Sequence, residues 1–244
     1  MVDLHDTVAV VTGGARRLGA AIVLALADAG CHVVIHCRTS RSAAEVTADQ
    51  ARARGVKAVT VQADAARAAD VSRLLEATLD AFGRVDILVA NAGAFRRTAL
   101  STLTEADWDD MLNNNLRAAF LCAQRFGVHM RDHAGGCIIT LADVAGLRPW
   151  AEYLPYSIAK AGVIALTRGL AKELAPSVRV NAIAPGPILF PDDFDAAQQQ
   201  REVARTLLRR QGHPDNIADA VLSLIRNDYI TGVVLPVDGG RLLA

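Results

Sequence analysis

Thr7-Val-Ala-Val-Val-Thr-Gly-Gly-Ala-Arg-Arg-Leu-Gly19 is the stretch that decides the fold. Five strand-forming residues run straight into a glycine-rich turn, and a helical apolar pattern follows from Leu18 to Ala29. Strand, glycine turn and helix in that order open a βαβ unit. Gly13 and Gly14 let the chain reverse sharply, and Gly19 lets backbone or ligand come close. The helix start offers unpaired amides and the positive end of its dipole, which suit a pyrophosphate. The same glycines could make an ordinary turn; the flanking strand and helix favour the phosphate site.

The pattern repeats outward. Apolar runs of strand length fall at Thr7–Val11, His32–His36, Ala58–Gln62, Ile87–Ala90, Gly136–Leu141, Val178–Ile183 and Val233–Pro236. Helical segments separate them at Leu18–Ala29, Ser42–Arg54, Ala66–Phe82, Glu105–Arg131, Tyr156–Leu174, Phe194–Leu208 and Pro214–Ile225. The alternation predicts an α/β fold: one Rossmann-type domain over residues 1–244, with a doubly wound parallel sheet and helices on both faces. The chain is 52% hydrophobic, enough to bury such a sheet on both sides. Its formal net charge is zero, which argues against nucleic acid as a partner. Cys31, Cys37, Cys122 and Cys137 show neither C-x-x-C nor zinc spacing and read as small apolar residues in a reducing compartment. No leader pattern and no apolar run of ~18 residues is present, so a cytoplasmic protein without a membrane partner is expected.

The end of the second strand bears on the cofactor. An NAD site places an acid there to hold the ribose hydroxyls. This chain has His36, Cys37, Arg38, Thr39, Ser40 and Arg41 instead. Arg38, Ser40 and Arg41, helped by Arg16 or Arg17, suit a 2′-phosphate, so NADPH/NADP+ is expected. The alternative is a solvated basic loop.

Tyr156-Ser-Ile-Ala-Lys160 adds chemistry, because side chains four apart on a helix share a face. A lysine ammonium beside a phenol is expected to lower its pKa. Together with Asn91-Ala-Gly93, Asn113-Asn-Asn115, Pro185-Gly186 and the closing Val237-Asp-Gly-Gly240, this set resembles the short-chain dehydrogenase/reductase family along essentially the whole chain. The resemblance implies hydride transfer with a nicotinamide cofactor and a catalytic group of Tyr156, Lys160 and Asn115, the asparagine holding a relay water. It implies that Gly13, Leu18, Gly19, Asn91, Ala92, Gly93 and Asp64 hold the adenosine and phosphate side. Lys160 would also hold the nicotinamide ribose, and Pro185, Gly186 and Ile188 would line the nicotinamide. A homotetramer packed through Glu105–Arg131 and Tyr156–Leu174 is implied in the same way.

Two departures narrow the resemblance. Asp143, thirteen residues before Tyr156, stands where the family usually has serine, and Arg17 replaces the middle glycine of the first motif. Both are features of the family's pteridine reductases, and Phe95, four after Asn91, agrees with an aromatic that stacks on the pterin. His36–Glu45 is similar to that subgroup's phosphate loop. A flat heteroaromatic substrate suits a π face. The expected activity is NADPH-dependent reduction of a ring C=N in a dihydropterin or dihydrofolate. Tyr156 would supply the proton, Asp143 would orient Tyr156 or share in protonation, and Arg17 and Phe95 would hold the substrate. The alternatives are a carbonyl or 3-oxoacyl-thioester reductase, which should carry serine at 143, and a non-catalytic NADP(H) sensor, which has no need of Asn115, Tyr156 and Lys160. Trp150, Tyr153 and Leu154 are expected to wall the pocket, and Leu189–Phe194 with Gln198–Gln200 to begin a substrate loop. His129 and His133 have helical metal spacing but no third ligand nearby, so no metal is expected.

Overall fold

The computed structural model describes residues 2–191 and 194–244. Its strands are β1 (Val8–Val11), β2 (His32–Cys37), β3 (Ala58–Gln62), β4 (Ile87–Ala90), β5 (Gly136–Leu141), β6 (Val178–Pro185) and β7 (Val234–Val237). They form one sheet in the order β3-β2-β1-β4-β5-β6-β7, every neighbouring pair parallel. The order reverses direction between β1 and β4, and this switch point opens a crevice at the strands' carboxyl ends.

Alternation along β1 shows how the layers arise. Ala9 and Val11 point into a core shared with α1 (Arg17–Asp28), α2 (Arg41–Arg52) and α8 (Pro214–Arg226). Val8 and Val10 point the other way, onto α3 (Ala68–Phe82), α5 (Ala118–Asp132) and the end of α6 (Leu154–Glu173). A strand apolar at every position is therefore needed, and all four residues of β1 are buried.

The expected elements are present with shifted ends. Helix α6 begins at Leu154, before Tyr156, because Pro155 suits a first turn that has no amide to satisfy. Helix α7 covers only Ala196–Ala204: Asp195 and Gln198 form a capping box at its start, and Arg205 leaves helical geometry at its end. The long helix expected over Glu105–Arg131 is interrupted. It consists of α4 (Glu105–Leu112), a π-helical turn at Asn113–Arg117, and α5. The cause is Asn115, whose Nδ2 donates to the Met111 carbonyl at 2.9 Å and to the Ala94 carbonyl at 2.9 Å. Such π-bulges concentrate at functional sites. All four cysteines are buried and unbridged. Among the described residues no helix is long and apolar enough to cross a membrane.

Candidate active site

Strand β1 delivers its chain into the glycine turn at the switch point. Gly13 has φ +64°, a left-handed conformation that favours glycine. At Gly19 a β-carbon would stand 2.1 Å from the Gly13 carbonyl oxygen, so only glycine lets α1 close onto the turn. Asn91 braces it from β4, its Nδ2 donating to the carbonyls of Thr12 (2.9 Å) and Gly13 (3.1 Å). Thr12, which carries no assigned role in the sequence reading beyond its place in the motif, is equally involved. Its hydroxyl oxygen accepts from the amides of Asn91 (3.0 Å) and Ala92 (2.9 Å). No side chain caps α1 among the described residues.

The His36 ring belongs to this brace. It is 1% exposed; Nδ1 accepts from the Gly13 amide at 3.1 Å while Nε2 faces the Ala63 carbonyl at 3.0 Å. That pattern requires neutral imidazole with its proton on Nε2, and burial holds its pKa below the usual histidine value. The exposed cations lie just beyond it. Arg38 donates to Asn114 Oδ1 at 2.5 Å, Ser40 precedes α2, and Arg41 begins it. No acid stands at the end of β2. Asp64 accepts the Ala66 amide at 3.0 Å in the loop after β3. Arg16 is exposed at the start of α1.

A cavity of about 1030 Å³ lies against this crevice. It gathers Arg17, Leu18, Asn91, Gly93, Phe95, Asn115, Asp143, Tyr156, Lys160, Pro185, Gly186 and Ile188, which come from six separate loops and helices. Gly13, Arg16, Gly19, His36, Arg38, Ser40, Asp64 and Ala92 do not line it. Trp150 and Tyr153 line the cavity as expected, but Leu154, at the start of α6, does not. From the expected substrate loop, Leu189, Phe190, Pro191 and Phe194 line it, Gln198–Gln200 lie in α7, and Asp192 and Asp193 fall outside the described residues.

At the cavity floor the Tyr156 hydroxyl donates to Asp143 Oδ2 at 2.9 Å. Asp143 Oδ1 accepts the Ala145 amide at 2.7 Å, which fixes the carboxyl. Lys160 Nζ donates to the Leu141 carbonyl at 2.8 Å and lies 5.7 Å from the Tyr156 ring centre. Burial pushes the Asp143 carboxyl up to about 6, against the opposing pull of the Ala145 amide and Lys160. Burial likewise brings the Lys160 ammonium down to about 8. Tyr156 is raised well above the usual phenol value, first by burial and then by the Asp143 charge. Burial and Asp143 thus set the direction of the Tyr156 shift. With a carboxylate as its direct neighbour, Tyr156 stays a protonated phenol, which suits a proton donor. The Asn115 side chain serves structure: besides donating to the two carbonyls, its Oδ1 accepts the Ala94 amide at 3.2 Å.

The aromatic wall is a cluster. Phe95 stacks on Tyr153, centroids 4.7 Å apart, and meets Tyr156 edge-on at 4.9 Å. It remains 40% exposed. Arg17, at φ +52°, donates through Nη2 to the carbonyls of Leu189 (3.3 Å) and Phe190 (3.1 Å). It thus tethers the segment after β6 to the glycine turn. His129 and His133 stack on each other, 4.1 Å apart, and among the described residues no group of three potential metal ligands occurs.

A family model described as enoyl-(acyl carrier protein) reductase matches residues 13–241. The chain belongs to the short-chain dehydrogenase/reductase family. It is 41% identical over 247 residues to a hydroxy(phenyl)methylsuccinyl-CoA dehydrogenase subunit of Thauera aromatica, covering 99% of each chain. It is 38% identical to a 3-oxoacyl-(acyl-carrier-protein) reductase of Synechocystis, covering 100% of each. A blue fluorescent protein from a metagenomic library, solved with NADPH, superposes with TM-score 0.91 at 34% identity, covering 98% of this chain and 99% of the other. An NAD+-bound xylitol dehydrogenase gives TM-score 0.91 at 26% identity, covering 98% and 100%. The chain is thus an oxidoreductase of this family, and its neighbours bind nicotinamide cofactors of both kinds. The relatives' names fit the 3-oxoacyl-thioester alternative better than the pterin expectation.

Proposed function

We propose that this protein is an NADPH-dependent reductase whose substrate is a pterin-like heteroaromatic with a ring C=N. The observation that carries it is the buried Tyr156–Asp143 hydrogen bond at 2.9 Å, in the place where family members usually have a serine. A serine hydroxyl can only orient the tyrosine. A carboxyl whose pKa stands near 6 can also return a proton to it, which suits reduction at a basic ring nitrogen. The Phe95–Tyr153 stack supplies an apolar, aromatic wall for a flat ring.

The residues fit a dinucleotide. The closed Gly13–Gly19 turn and the uncapped start of α1 suit a pyrophosphate, Arg38 and Arg41 suit a 2′-phosphate, and Lys160 with Asn91 and Gly93 line the ribose side. When bound, NADPH supplies the hydride. Tyr156 donates its phenolic proton to the substrate atom that gains negative charge. Asp143, protonated in part near neutral pH, reprotonates Tyr156 across their shared bond. Lys160 holds positive charge beneath both, and Asn115 keeps the Ala94 loop at its distance and supports a relay water. The protein acts as a cytoplasmic homotetramer in this proposal.

A second reading has its own support: the Synechocystis relative is a 3-oxoacyl reductase and the Thauera relative acts on a CoA thioester, by name. NADPH oxidation with dihydrobiopterin, dihydrofolate and a 3-oxoacyl thioester separates the two. Turnover of dihydropterin, lost in Asp143→Ser, is expected. Turnover of the thioester alone would replace the pterin reading with the second one.

A further inference from the structure

The outer half of the cavity carries charge that the hydride chemistry does not use. Arg148, Arg205 and Arg241 line it, together with Glu202, Glu152 and Ala244. Glu152 is already paired with Arg97. Glu202, on α7, is shared: Oε1 accepts Arg205 Nη1 at 2.7 Å, and Oε2 accepts Arg241 Nη2 at 3.2 Å. Arg148 donates to the Ala244 backbone oxygen at 2.6 Å, so it is already engaged.

Arg241 is the unusual member. It is 9% exposed, and its Nε is buried without a hydrogen-bond partner among the described residues. A buried guanidinium edge left unmade is costly. Its backbone is held in place, since the Asp238 carboxylate accepts the amides of Gly240 (2.9 Å) and Leu242 (2.9 Å) on either side of it. Nε is itself closed off, so the guanidinium meets the cavity through its other atoms; a fixed guanidinium at a cavity wall is the arrangement that receives an oxyanion. The cofactor's phosphates are not the candidate, because they belong at the glycine turn and beside Arg38.

We propose that Arg241, assisted by Arg205, anchors an anionic tail of the substrate, a carboxylate or phosphate carried away from the ring or carbonyl that is reduced at Tyr156. This rests on the reductase reading and names the substrate class more narrowly: a reducible head joined to an oxyanion-bearing tail.

Steady-state NADPH oxidation with paired substrates tests it. Dihydrofolate carries a glutamate tail and dihydrobiopterin an uncharged one; acetoacetyl-CoA carries phosphates and acetoacetyl-N-acetylcysteamine none. Arg241→Gln should raise KM for the anionic member of whichever pair is turned over by about ten-fold or more, the scale of a lost charge-assisted bond. The uncharged member's KM, and kcat for both, should move less than about two-fold. Arg241→Lys should recover only part of the loss. Loss on the dihydrofolate pair identifies a carboxylate, and loss on the thioester pair a phosphate. Equal KM changes in both members would overturn the proposal. So would a change in oligomeric state with an unaltered KM ratio, which would assign Arg241 to a second copy of the chain. Should Arg241→Gln not fold, inhibition of the unmodified enzyme decides. Competition by p-aminobenzoylglutamate or phosphopantetheine against substrate but not against NADPH supports the anchor, and its absence with both compounds overturns it. Failure of every pterin to react, with thioesters still reduced, would sink the pterin reading and leave Arg241 to be judged on the thioester pair.

Discussion

Asp143, Tyr156 and Lys160 are three ionisable side chains in one buried site, and their protonation is set jointly. Asp143 holds its proton below about 6 and loses it above. Lys160 holds its charge below about 8 and loses it above. Both changes remove positive charge or a proton from the donor side, so both should slow reduction as pH rises. The expected profile of kcat/KM is highest near pH 5 and falls first through about 6, then again through about 8. Asp143→Asn should lower the rate and erase the first fall while leaving the second. A profile that is flat from pH 5 to 7 would remove Asp143 from the proton path. Tyr156→Phe should reduce turnover by roughly 10²-fold or more, the scale of a lost acid, with NADPH binding by fluorescence unchanged. Unaltered turnover would exclude Tyr156 as donor.

The glycine turn and the π turn set the geometry in which those residues meet. Gly19→Ala places its methyl 2.1 Å from the Gly13 carbonyl, so the turn must open. The expected outcome is loss of NADPH binding together with a lower melting temperature; tight binding in that variant would refute the close-approach account. Asn115→Ala leaves the Met111 carbonyl and both backbone groups of Ala94 without their partner. Urea unfolding should show a loss of about 2–4 kcal/mol, since buried polar groups left unpaired cost ~1–3 kcal/mol each and water recovers part. These two elements also show what was legible in the sequence. The Thr12–Gly19 turn could be read because glycine is demanded by sterics at fixed places, and strand and helix periods flank it. The π turn could not, because one extra residue in a helix barely disturbs a 3.6-residue period, and three consecutive asparagines look like a polar interruption. The bracing role of His36 was hidden for a related reason: its position at the strand end was clear, but only the register of β2 beside β3 turns its ring inward to Ala63. Arg241 gave no signal at all, since it reaches the cavity only through the placement of β7 beside β6.

At the scale of the whole molecule, the same helices that build the site also expose apolar surface. Phe120 and Val128 on α5 are 40% and 39% exposed, and Leu154 and Ile158 on α6 are each 39% exposed. Eight and four residues apart, each pair lies along one side of its helix. Single exposed apolar residues need no explanation, but paired ones on α5, which continues the π turn of Asn115, and on α6, which carries Tyr156 and Lys160, call for a cover. A second copy packing there would stiffen the helices from outside and hold the floor of the cavity. The expected assembly is four copies of the 25.9 kDa chain, measured by analytical ultracentrifugation. Phe120→Glu combined with Ile158→Glu buries two charges in that interface and should shift the mass toward the single chain. In such an assembly the second copy would support the site from behind, so kcat should fall with the mass even though neither side chain lines the cavity. A double variant that stays tetrameric would place the interface elsewhere. A monomeric variant with full activity would show that each chain holds its Tyr156–Asp143 pair in place without its neighbours.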